Sequence, residues 1–219
     1  TLENVKELFA MQLSVRPLEN PIRIGSILDI KLDTSTVSTD LHIAVVTRPF
    51  GNLLNDTMAI SVPAQLSPID NRPITGALYI NAASTPKAAQ NRDSINRSFF
   101  EALYHEMLHI LGISQTLFGL WYNKQTSRPY RSSFPYIEHT LTEYKKRLWI
   151  VSTPTVTEYT KRRFLTDNLA GVEFVYSHPS SRVFYSEISS AFPIGSKAIS
   201  ELTLSLLEDR CGHPGVRRV

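Results

Sequence analysis

Cysteine is all but missing from this chain: Cys211 stands alone among 219 residues. No internal disulfide can form, which excludes a small secreted scaffold held by bridges, while one thiol says little about redox compartment. Long apolar runs are missing too, and no stretch approaches the ~18 uninterrupted apolar residues of a membrane-spanning helix. The first residue is Thr1, and no leader segment is visible. Methionine is confined to Met11, Met58 and Met107, so none lies beyond position 107. Charge does not lean strongly to one sign either, because 23 Lys and Arg face 20 Asp and Glu for a formal net charge of +3. The bases cluster only at Lys145-Lys146-Arg147, Lys161-Arg162-Arg163 and Arg217-Arg218. That reads as solvated surface; a nucleic-acid footprint would need a basic stripe interleaved with stacking aromatics, so no nucleic-acid partner is expected.

With 42% hydrophobic and 20% charged residues, what remains is a globular chain with enough apolar mass for a sizeable core. One domain, or two lobes around a cleft, is the expectation at this size. The triplets Asn55-Asp56-Thr57 and Asn96-Arg97-Ser98 fit the N-glycosylation pattern and tilt the reading toward an extracellular life.

The segment TLENVKELFAMQLSV has apolar residues near helical spacing before Pro17 and Pro21 interrupt it, so a short helix or extension over residues 1–20 is expected. Four β-branched stretches follow, at 22–32, 40–47, 57–62 and 76–83, separated by Pro, Gly and Asn, and they predict strands. They feed one long helix, capped at Asp93 or Ser94 and stopped by Gly112. At 100° per residue, Phe99, Phe100, Leu103, Met107, Ile110 and Leu111 share one face, and Glu101, His105, His109 and Gly112 lie opposite. Residues 116–177, rich in Tyr, Thr, Ser, Lys and Arg, predict loops and short helices rather than a regular sheet, and a last helix is expected over 196–210.

The long helix carries YHEMLHILGIS, from Tyr104 to Ser114. Within it His105-Glu106-Met107-Leu108-His109 is an H-E-x-x-H sequence whose logic is geometric. Histidines four apart on a helix project side by side, so both imidazoles can bind one Zn²⁺ at ~2.0–2.1 Å. Glu106 sits one residue round the helix, where a carboxylate can take a proton from water acidified by the metal. The bland alternative is a helix with two incidental histidines. The scarcity of histidine and the avoidance of the apolar face by both residues weigh against it.

A catalytic zinc takes three protein ligands and keeps one open position. Gly112 suggests the metzincin pattern H-E-x-x-H-x-x-G-x-x-H, but the position of its third histidine is Gln115, so the short form fails. The remaining candidates are His139, His178, His213 and the carboxylates Glu138, Glu143 and Glu158. YIEHTLTEYKKRL could form a following helix that presents a carboxylate as in a His₂Glu site. His42, on a predicted upstream strand, reads as a packed or edge-strand residue.

Several blocks in order resemble the leishmanolysin family, metzincin zinc proteases in which a long insertion separates the glycine from the third histidine. These are NPIRI (20–24), DLHIAVVTRP (40–49), RPITGALYIN (72–81), HEMLHILGIS, GVEFVYSHPSSRVFYSEIS (171–189) and LTLSLLED (202–209). The resemblance implies that the third ligand is His178, 66 residues past Gly112, and that Glu187 matches the Glu of the family's E-x-M signature. The methionine of that signature, which forms the floor beneath the metal, is replaced by Ser189; the Trp after the third histidine is replaced by Pro179, and the family's disulfides are absent. It further implies an α+β fold of metzincin type: an N-terminal lobe (21–115) with a twisted mixed sheet and the zinc helix, and a mostly helical or irregular C-terminal lobe (116–219) that supplies His178, with residues 1–20 an extension or pro-segment remnant. One Zn²⁺, a polypeptide substrate held along an edge strand at Gly76, Ala77, Leu78 and Tyr79, and an extracellular or cell-surface location are the accompanying expectations. Membrane association would be compatible with that location, but no signal for it is read in this chain. The alternative from a different class is a weak or inactive zinc-binding relative that serves in adhesion.

Overall fold

The computed structural model describes residues 1–32, 34–51, 54, 57–86, 96–123, 125–130, 136–141, 146–165, 167–168, 172–174 and 217–218. Its backbone falls into two compact units, residues 1–114 and 115–218.

The first unit is built on a three-stranded sheet. Strands β1 (Ile22–Ile24) and β2 (Ser35–Val37) pair antiparallel as a small separate ribbon. The main sheet consists of β3 (His42–Arg48), β4 (Ala59–Leu66) and β5 (Pro73–Asn81) in the order β3-β5-β4. Strand β5 lies in the centre, parallel to β3 and antiparallel to β4. The strand expected over 22–32 stops at Ile24, and the chain turns back through an isolated bridge between Ile27 and Ile30. Leu28 takes the left-handed conformation there, and Asp29 accepts from the Tyr79 hydroxyl and from Arg48 Nη1 at 2.6 Å. Those two donors, Tyr79 first, hold the Asp29 carboxyl below the usual carboxylate range. One face of the sheet, carrying Ala44, Ala77 and Tyr79, buries against Ile22, Ile24 and Ile27.

The other face carries the long helix α2 (Arg97–Ile110). Asn96 caps it, its Oδ1 accepting the Phe99 N–H at 3.0 Å, so the helix starts later than Asp93 or Ser94, which lie outside the described residues. The same contact gives Asn96, read first as a glycosylation triplet, a capping role. Phe99, Leu103, Met107 and Ile110 are buried as expected, but so are Tyr104 and Leu108, which widens the apolar face. The helix α1 (Leu2–Gln12), formed by the opening segment, accounts for part of this widening. Val5, Leu8 and Phe9 are buried, and Phe9 stacks on Tyr104 at 5.1 Å between ring centroids.

Close approach of α2 to the sheet depends on Gly76. A Cβ there would lie 2.8 Å from Ile110 Cγ2 and 3.3 Å from the Val62 carbonyl oxygen. Ile110 is fully buried and has little room to withdraw. Gly76→Ala should therefore cost about 1–3 kcal/mol by overpacking, read as a lower urea midpoint with unchanged slope. An unchanged midpoint would mean that helix and sheet are not packed this closely.

Over 116–177, where loops and short helices are expected, the second unit holds one such helix but also a regular sheet, which corrects the expectation. After a 3₁₀ turn (Gln115–Leu120), β6 (Tyr122–Asn123) and β7 (Arg128–Pro129) form a short hairpin. Strands β8 (Tyr136–Leu141), β9 (Lys146–Val151) and β10 (Val172–Phe174) then make an antiparallel sheet with β9 in the middle. YIEHTLTEYKKRL is thus not a helix. Its Tyr, Ile and Thr residues favour extended backbone, and cross-strand pairing such as Arg147 with Thr140 places its described residues in two antiparallel strands. The helix α3 (Pro154–Phe164) went unread in the sequence, although Thr153-Pro154 is a start signal, with Pro at the first helical position. The last expected helix, 196–210, lies outside the described residues. No described helix is long and apolar enough to cross a membrane.

Candidate active site

The site begins with the way α2 ends. Gly112 adopts φ +95°, a conformation open to glycine and strained for other residues. Its N–H donates to the His109 carbonyl and the Ile113 N–H to the Leu108 carbonyl, each at 3.0 Å. This is the paired-bond C-terminal turn that satisfies the last carbonyls of a helix. It also folds the chain back so that the Ile113 carbonyl accepts from His109 Nδ1 at 2.8 Å. A carbonyl has no proton to give, so Nδ1 carries it and Nε2 keeps its lone pair. The glycine that stops the helix therefore also orients a histidine and fixes its tautomer.

His105 lies one turn earlier, its ring edge-on to that of His109 at an interplanar angle of 83°. The two Nε2 atoms converge to 3.0 Å. Two metal bonds of ~2.0–2.1 Å at a tetrahedral angle span about 3.3–3.4 Å, so a slight opening of the pair admits one zinc. Burial first, and His109 second, lower the His105 pKa to about 3; burial lowers that of His109 against the pull of the Ile113 carbonyl. Both rings are thus neutral at pH 7, the form in which imidazole is a ligand. Donor type, convergence and carbonyl support all fit a zinc ion. Among the described residues, no third His, Cys, Asp or Glu joins them in a metal-holding group.

Glu106, half-buried beside the histidines, is raised to about 7 by burial, with the hydroxyl and backbone N–H of Ser61 pulling the other way. A cation nearby would draw it down further. The Ser61 hydroxyl also donates to the Glu106 main-chain carbonyl at 2.7 Å and so ties α2 to β4. Ser61 was not legible as a site residue. It lies 45 positions from Glu106, and only the pairing of β4 with β5 brings it there.

The expected substrate strand is corrected. Gly76, Ala77, Leu78 and Tyr79 belong to β5, which is paired on both sides, and Ala77 and Leu78 are fully buried. Their backbone cannot take an added peptide. Among the described residues the edges of this sheet are β3 and β4, and β4 bears Pro63, a residue that sheets admit at edges. Glu138 and His139 lie on strand β8, Glu158 is exposed on α3, and His42 is the half-buried first residue of β3. Glu143, His178, Pro179, Glu187, Ser189 and His213 lie outside the described residues.

A search among curated proteins finds no significant match. The family model for leishmanolysin, by contrast, matches residues 3–212, a span that takes in the whole helix, its glycine turn and the sheet beneath. The chain therefore belongs to the leishmanolysin family of zinc metallopeptidases.

Proposed function

We propose that this chain is a zinc-dependent endopeptidase in which His105, His109 and His178 hold one metal ion and Glu106 is the catalytic acid–base. The observation that carries this reading is the convergence of the two Nε2 atoms at 3.0 Å, on a helix that carries the half-buried Glu106 next to His105 in sequence. Zinc, when bound, supplies a Lewis acid that acidifies water and polarises a peptide carbonyl. The protein's own groups do the rest. The imidazoles are kept neutral and aimed, His109 through the Ile113 carbonyl. The Glu106 carboxylate accepts a proton from the attacking water and returns it to the leaving amine.

The substrate backbone would add to the outer edge of β4, antiparallel to β5, where Ser61 links that edge to Glu106. The lobes would divide near residue 115, with the C-terminal one bringing His178, and the setting would be extracellular or at the cell surface. Ser189, in place of the family's methionine, favours the second reading, an inactive adhesive relative. Retention of Glu106 opposes it, since a structural zinc site needs no acid–base group.

The test is cleavage of a denatured protein with and without a zinc chelator. Activity that disappears on chelation and returns with added zinc is expected. Equal inertness before and after would leave the adhesive reading standing.

A further inference from the structure

Helix α3 ends in Lys161-Arg162-Arg163-Phe164-Leu165. Its buried stripe is formed by Val156 and Thr160, 0% and 2% exposed. The next position on that stripe, four residues on, is Phe164, yet it is 65% exposed; Leu165 beside it is 91% exposed. Leu165 closes the helix in the left-handed conformation, φ +52°, its N–H donating to the Lys161 carbonyl. Glycine makes this turn without strain, so a leucine here bears a backbone cost while it holds an isobutyl group in water.

The three bases have an ordinary explanation, because cations in the last turn complement the carbonyl end of a helix. That explanation does not reach Phe164 and Leu165. An adjacent apolar pair at a helix tip, collared by cations, matches a surface that is apolar inside and negative at its rim. Asp167 is the one acid among residues 161–168, which leaves the tip two charges positive.

We propose that the end of α3 docks on anionic lipid, with Phe164 and Leu165 entering the headgroup–acyl boundary and Lys161, Arg162 and Arg163 meeting the negative headgroups. A protein interface would want a broader apolar patch than two side chains offer. This surface is independent of the zinc site, and the reading of one does not depend on the other.

Flotation of the full chain with phosphatidylcholine vesicles, with and without phosphatidylserine, tests the proposal. Binding to the phosphatidylserine vesicles, weakened by salt, is expected. Phe164→Ser and Leu165→Ser should each lower partitioning about tenfold or more, and Arg163→Gln about fivefold. Leu165→Gly separates docking from folding, since it relieves the strained turn: thermal stability should hold or rise while vesicle binding falls. Wild type that ignores both vesicle types, which would hand the patch to a protein partner, overturns the proposal. So does equal binding with and without phosphatidylserine, or a Phe164→Ser/Leu165→Ser double variant that floats like wild type.

Discussion

Glu106→Gln should lower peptide hydrolysis by about 10²–10⁴-fold while the protein still takes up zinc. The substitution preserves shape and keeps an oxygen for the Ser61 N–H, so the contact between α2 and β4 survives. What it removes is the ability to accept a proton from water and pass it on. The split between the two readouts is the informative part. A structural role for Glu106 would show as a lower unfolding midpoint or lost metal, and the acid–base role as lost turnover alone. Turnover within a few-fold of wild type would take Glu106 out of the chemistry.

His109→Ala should be more damaging, because one side chain serves two ends. Its Nε2 faces that of His105, and its Nδ1 holds the Ile113 carbonyl at the glycine turn. Loss of an orienting partner alone typically weakens metal affinity about 10–100-fold. Loss of the ligand itself should exceed that and abolish hydrolysis. His42→Ala, on the first residue of β3, is the matched control and should leave zinc affinity unchanged. Equal zinc affinity in the His109 variant and wild type would remove the helix from the site altogether.

The parts of the site that were legible in the sequence are the local ones. The spacing of His105 and His109, the neighbouring Glu106 and the turn at Gly112 are all set within one helix, where a 3.6-residue period relates position to direction. What was misread depends on pairing between distant segments. The edge-strand expectation for GALYIN comes from the family resemblance, and the segment's own residues do not encode that β3 and β4 lie on either side of it. Ser61 was invisible for the same reason. The strands at 136–141 and 146–151 are hidden for a different reason: Lys, Glu and Arg interrupt the apolar–polar alternation by which a strand is read, and the β-branched and aromatic residues between them carry the preference. The third ligand belongs to neither class. His178 was identified through family resemblance alone, 66 residues beyond Gly112.

That histidine is where the proposed chemistry is most exposed to test. Ser189 replaces the methionine floor, which is not a ligand, so metal binding should survive its loss even where turnover suffers. The decisive measurement is the zinc content and affinity of purified wild-type protein beside His178→Ala. One zinc per chain in wild type, and its loss from the variant with the fold intact, is the predicted result. Wild type without zinc, or a His178→Ala variant that binds zinc as tightly as wild type, would contradict a three-histidine site.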